Sequence, residues 1–122
     1  TVKEHLELYA AIKNIPPHSV DQLIRERLAD VGLTSKTNAL TPNLSGGQKR
    51  KVCLAIALIG NSKVVFLDEP TSGMDVFAQR STWNLLRKSA RGRIIILTTH
   101  SMEEVEALCT RVAIQVRGAV FN

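Results

Sequence analysis

The spacing of apolar residues changes once along the chain. In TVKEHLELYAAIKN, Val2, Leu6, Tyr9 and Ile12 recur at helical intervals, and Thr1 stands where a cap is needed. Pro16-Pro17 ends that helix. Ser19 and Gln22 have capping-box spacing ahead of VDQLIRERLADV, and Gly32 closes the second helix. A polar loop, TSKTNALTPN (34–43), leads to the pair Gly46-Gly47 and a third helix reaching about Ile59. From residue 63 the pattern becomes unbroken apolar runs alternating with helical stretches: KVVFLD, VFAQRSTWNLLRKS, RIIILTT, SMEEVEALC, then RVAIQV and a turn at Arg117-Gly118 into AVF. Unbroken runs predict strands buried on both faces, and strand–helix–strand order predicts a parallel α/β sheet with right-handed crossovers. Residues 1–60 thus form a helical unit and 61–122 an α/β unit. Three such strands are too few to cover one another, so further strands are expected before Thr1, in a longer protein.

Composition adds little to this picture. With 122 residues, 44% apolar and 22% charged, the chain has the make-up of one modest globular domain or part of a larger one. Aromatics are only 4%, so the core must be aliphatic. The longest apolar run, VCLAIALIG (52–60), falls well short of the roughly 20 residues of a membrane span. Cys53 and Cys109 lie in apolar helical stretches without a C-x-x-C pair, which predicts two reduced, buried thiols. The net charge of +5 admits a polyanionic partner, yet only Lys49-Arg50-Lys51 is a tight basic cluster. No aromatic platform interleaves those bases, which argues against specific nucleic-acid recognition.

Chemistry concentrates at the ends of the two best strands. VVFLDEP (64–70) sets Asp68 and Glu69 at a carboxyl edge, where open α/β sheets bind ligands. Side chains alternate along a strand, so one carboxylate is free to hold magnesium while the other faces a reacting water. TSGMD (71–75) follows as a tight turn around Gly73 with a buried-prone Asp75, which an Asx turn or helix cap explains equally well. LTTH (97–100) ends the next strand with His100, beside Asp68 and Glu69 if the strands are neighbours, and able to contact a phosphate or orient water. In LSGGQ (44–48), Ser45 supplies a hydroxyl, and Gly46 and Gly47 let an anion approach the backbone at a positive helix end. A plain helix start capped by Ser45 is the alternative.

The order LSGGQ, VVFLDEP, SGMD and His100 resembles that of the ATP-binding cassette (ABC) ATPases over essentially the whole chain. KRKVCLAIALIGNSKVVFLDEPTSGMD and LTTHSMEEVEALCTRVAI look most like subfamily A, transporters associated with lipid export. The resemblance implies a partial P-loop NTPase (RecA-like) parallel sheet with an inserted helical signature subdomain. It makes LSGGQ the signature motif, with Ser45, Gly46, Gly47 and Gln48 meeting the γ-phosphate of ATP bound to a second nucleotide-binding domain. By the same likeness Asp68 is the Mg²⁺ residue, Glu69 the catalytic base, Asp75 part of the D-loop and His100 the switch histidine. Transmembrane domains of the same transporter are the other implied partners, with this domain on the cytoplasmic side of the membrane. The family's Walker A loop, adenine-stacking aromatic and Q-loop have no counterpart here, and G-x-x-x-x-G-K-[ST] occurs nowhere in the sequence. Val76 also departs from the proline usual after the D-loop aspartate in subfamily A. Alternatives are an ABC ATPase without a transport role, of DNA-repair or translation type, and a basic nucleic-acid-binding module.

Overall fold

The computed structural model describes residues 1–121; Asn122, the last residue of the expected α/β unit, lies outside the described residues. Helix α1 (Val2–Ile12) begins in a capping box between Thr1 and Glu4 and buries Val2, Leu6 and Ala10. Tyr9 and Ile12, which the sequence pattern assigns to that face, are 39% and 63% exposed. At about 100° per residue, Ile12 points roughly 160° away from Ala10, so the smaller alanine takes the buried position.

Helix α2 (Pro17–Asp30) starts two residues before Ser19, and the expected Ser19–Gln22 capping box does not form. Pro17 at the first helical position is already set to helical φ and starts the helix itself. Gln22 instead donates to Glu26. The other end behaves as the sequence predicts. Gly32 takes φ +69°, its N–H reaches the Ala29 carbonyl, and the Leu33 N–H reaches that of Leu28 at 2.7 Å.

Two short 3₁₀ turns, Thr34–Lys36 and Thr41–Asn43, shape the polar loop before α3 (Gly46–Leu58). Helix α3 buries Val52, Leu54, Ala55 and Leu58. Cys53 projects from the opposite side and is exposed, contrary to the expected buried thiol. The carboxyl end of α3 is held from outside: Lys13 Nζ donates to the carbonyls of Ile56, Ala57 and Ile59 at 3.0, 3.1 and 3.0 Å. Burial, with a smaller contribution from Arg93, pulls the Lys13 pKa below the ordinary lysine value.

Strands β1 (Val64–Asp68) and β2 (Ile94–Thr98) pair in parallel, from Val64 opposite Ile94 to Asp68 opposite Thr98. Helix α4 (Val76–Ser89) connects them. Val65 and Leu67 enter one continuous core with α1, α2, α3 and Leu85 and Leu86 of α4. The other face of the pair is open: Phe66 is 73% exposed, and Val64, Ile94 and Ile96 are exposed too. Burial on both faces is therefore corrected to burial on one, because no described element packs over the second.

Helix α5 (Met102–Leu108) follows, ending at a half-buried Cys109, whose thiol burial raises above its ordinary pKa. The third expected parallel strand does not join β1 and β2. Residues Ile114–Val116 (β3) instead pair antiparallel with Ala119–Phe121 (β4) in a separate hairpin. Arg117 and Gly118 both have positive φ, 48° and 83°, the geometry of a two-residue hairpin turn that matches strand twist.

Candidate functional site

The parallel register places the ends of β1 and β2 side by side. Thr98 Oγ1 donates to Asp68 Oδ1 across the pair. Glu69 leaves the strand with φ 47°, a left-handed conformation uncommon for a side-chain-bearing residue, while its N–H still bonds the Thr98 carbonyl at 3.1 Å. That turn of the backbone aims the Glu69 carboxylate at the loop after β2, where His100 Nδ1 lies 2.9 Å from Glu69 Oε1. Glu69 is about one-third exposed and His100 is 81% exposed, so packing does not hold the imidazole. The hydrogen bond and charge of Glu69 raise the His100 pKa above its ordinary value.

Residues 69–75 form a closed turn. Ser72 N–H bonds the Glu69 carbonyl, Met74 N–H bonds that of Thr71, and Gly73 supplies φ +73°. Asp75 is the N-cap of α4, its Oδ1 accepting from the Ala78 N–H at 3.0 Å. It is exposed rather than buried. Its pKa lies below the usual carboxylate value, chiefly because of that backbone bond.

At the start of α3, Ser45 Oγ accepts from the Gln48 N–H at 3.2 Å, and Gln48 Oε1 accepts from the Ser45 N–H at 3.0 Å. A Cβ added at Gly46 or Gly47 would meet no protein atom within 4 Å. No side-chain packing within this chain therefore requires a glycine at either position. No hydrogen bond among the described residues joins Ser45–Gln48 to Asp68, Glu69 or His100. Helix α3 approaches the strand edge through Arg50, whose Nη1 lies 3.5 Å from the Asp68 carbonyl.

Asp68, Glu69 and His100 therefore come together, with Asp75 at the far end of the same turn and Ser45–Gln48 on a separate helix end. No group of three or more His, Cys, Asp or Glu residues among the described residues could hold a metal by itself. Asp68 still fits magnesium bound through one carboxylate, since Oδ2 remains available beside the Oδ1 engaged by Thr98. It does not fit a metal that needs an all-protein cage.

One residue of this region is not evident from the sequence. Glu104, 1% exposed, accepts from Thr71 Oγ1 at 2.9 Å and from Trp83 Nε1 at 3.1 Å. In SMEEVEALC it reads as one more solvated acid in a first helical turn. The available signal is its S-x-x-E spacing from the cap Ser101.

A parallel β–α–β edge carrying adjacent carboxylates and a histidine, with an open glycine pair at a separate helix start, is suited to phosphate chemistry. The profile of the family described as ABC transporter matches residues 1–72, more than half of the chain, and the chain belongs to that family. It is 48% identical over 116 residues to ABC transporter A family member 9 of Arabidopsis thaliana, which covers 95% of this chain and 12% of the relative. It is 48% identical over 120 residues to the retinal-specific phospholipid-transporting ATPase of Homo sapiens, covering 98% of this chain and 5% of the relative. The figures for ATP-binding cassette sub-family A member 7 of Mus musculus are 50% over 119 residues, 97% and 6%. The chain thus spans a small part of these relatives' length.

Proposed function

We propose that this chain supplies the signature and hydrolytic elements of an ABC transporter ATPase domain of subfamily A type, whose ATP turnover drives transport, of lipid by analogy with the named phospholipid-transporting relative. The observation that carries this reading is the 2.9 Å contact between Glu69 and His100 at the edge of the parallel strands. A carboxylate there is placed to accept the proton of a water attacking the γ-phosphate in line, and His100 to donate to the phosphoryl oxygens as charge develops. Asp68 would hold Mg²⁺, which when bound neutralises the phosphate charge. Asp75 orders the turn behind Glu69.

Residues 1–60 act in this reading as the helical signature subdomain and 61–122 as the latter half of a RecA-like core. Ser45, Gly46, Gly47 and Gln48 face the γ-phosphate of ATP held by a second nucleotide-binding domain. The free backbone of the glycine pair and the positive end of α3 suit that anion. Transmembrane domains of the same transporter are the other partners, and the chain works on the cytoplasmic side of the membrane. No helix among the described residues is long and apolar enough to cross a membrane. With no lysine-bearing phosphate loop in the sequence, the 122-residue chain alone neither binds ATP tightly nor turns it over.

The test is Glu69→Gln in the full-length protein. Mg-ATP binding is retained, and turnover falls by at least about 100-fold, as expected on removing a general base. Unchanged turnover would remove Glu69 from that role.

A further inference from the structure

Glu104 closes a ring of contacts behind the Glu69–His100 pair. From Glu69 the chain runs through Pro70 to Thr71, whose hydroxyl donates to Glu104 Oε1 at 2.9 Å. Glu104 N–H in turn bonds Ser101 Oγ at 3.3 Å, and Ser101 follows His100 directly. The Glu69–His100 hydrogen bond completes the circuit. Trp83 Nε1 anchors the ring to α4 by donating to the same Glu104 oxygen at 3.1 Å.

The ring matters because of what else holds the pair. His100 is 81% exposed, so its place depends on the backbone of residues 99–101. One side of that backbone is fixed by the β1–β2 ladder, which ends with the Glu69 N–H on the Thr98 carbonyl. The other side passes into α5, and Glu104 ties the first turn of α5 to the turn bearing Glu69. A carboxyl group at 1% exposure is costly to bury, and its Oε2 has no hydrogen-bond partner. A side chain recruited for packing alone would more readily be apolar.

We propose that Glu104 is a positioning residue for the Glu69–His100 pair, acting through Thr71 and the cap of α5. The proposal rests on the reading of Glu69 and His100 as the hydrolytic pair. Glutamine at 104 keeps an acceptor for Thr71 and Trp83, whereas alanine opens the ring. Thr71→Val opens it from the other side with little change of shape.

In the full-length protein, Glu104→Ala and Thr71→Val each lower kcat about 10-fold or more with KM for Mg-ATP within about 2-fold, and Glu104→Gln restores most of kcat. In the 122-residue chain, the nuclear Overhauser contact between the Glu69 and His100 side chains weakens in both ring-opening variants and persists in Glu104→Gln. The single tryptophan gives an independent check, because its indole N–H resonance shifts in Glu104→Ala. Equal kcat for Glu104→Ala and Thr71→Val relative to the parent overturns the proposal, as does a Glu69–His100 contact unaffected by either. Full activity of Glu69→Gln would instead sink the underlying reading.

Discussion

Helices α1, α2 and α3 bury one stripe each against their neighbours, while β1 and β2 bury one face and leave Phe66, Ile94 and Ile96 in water. The difference lies in how many neighbours each element needs. An amphipathic helix is satisfied by contact on one side, so three of them within 60 residues complete most of a core from local sequence. A parallel strand with an unbroken apolar run requires cover above and below, which this pair has on one face only. The helical half accordingly holds most of the buried core, and the strand edge carries the candidate hydrolytic pair.

The sharpest way to break this contrast is a pair of core and surface changes. Leu28→Ala, at a fully buried position of α2, costs about 3 kcal/mol in denaturant unfolding, whereas Phe66→Thr changes stability by no more than about 0.5 kcal/mol. Equal costs would show that the open face of the strands carries packing energy after all. Lys13→Met comes next. It strips three carbonyls of their donor at the carboxyl end of α3 and costs about 2 kcal/mol by the same measurement. A neutral result would mean that water replaces the ammonium without loss.

The smallest effect concerns pH. Because the folded His100 pKa is raised, its bond to Glu69 stabilises the fold fully below the unfolded histidine value, about 6.5. That contribution is lost as pH rises through the higher folded value. A proton titration of the imidazole checks it: a midpoint above the ordinary value in the parent chain, returning toward it in Glu69→Gln. An unshifted midpoint in the parent would remove the contact from solution.

Much of the helical region was legible in local sequence. Thr1 and Gly32 act at the ends where their chemistry predicts, and Ser45 caps α3 as the alternative reading of LSGGQ had it, with Gln48 adding a reciprocal bond that was not foreseen. Ser19 and Gln22 had the same spacing but lost to Pro17, since a residue with preset φ starts the helix earlier than a side-chain cap can. Helix α4 and the parallel pairing were also readable, and that pairing sets the loop bearing His100 beside Glu69. The antiparallel β3–β4 hairpin was not, because strand propensity says nothing about partner, and the Arg117-Gly118 turn decided it. Glu104 escaped for a related reason: a charged residue in a first helical turn looks solvated until Thr71 and Trp83, distant in sequence, are seen to enclose it.

The Lys13 clamp also has a mechanical side. It fixes α3 at its carboxyl end, where Leu58 and Ile59 are buried, whereas the other end is held by the buried Leu44 and Val52 and by Arg50. A 13-residue helix is roughly 20 Å long, so the Lys13 clamp and the glycine pair sit at opposite ends of one rod. A tilt of about 10° about the clamped end moves Ser45 by about 3 Å, roughly one hydrogen-bond length. Any rotation of α3 about its clamped end is thus largest at the glycine pair.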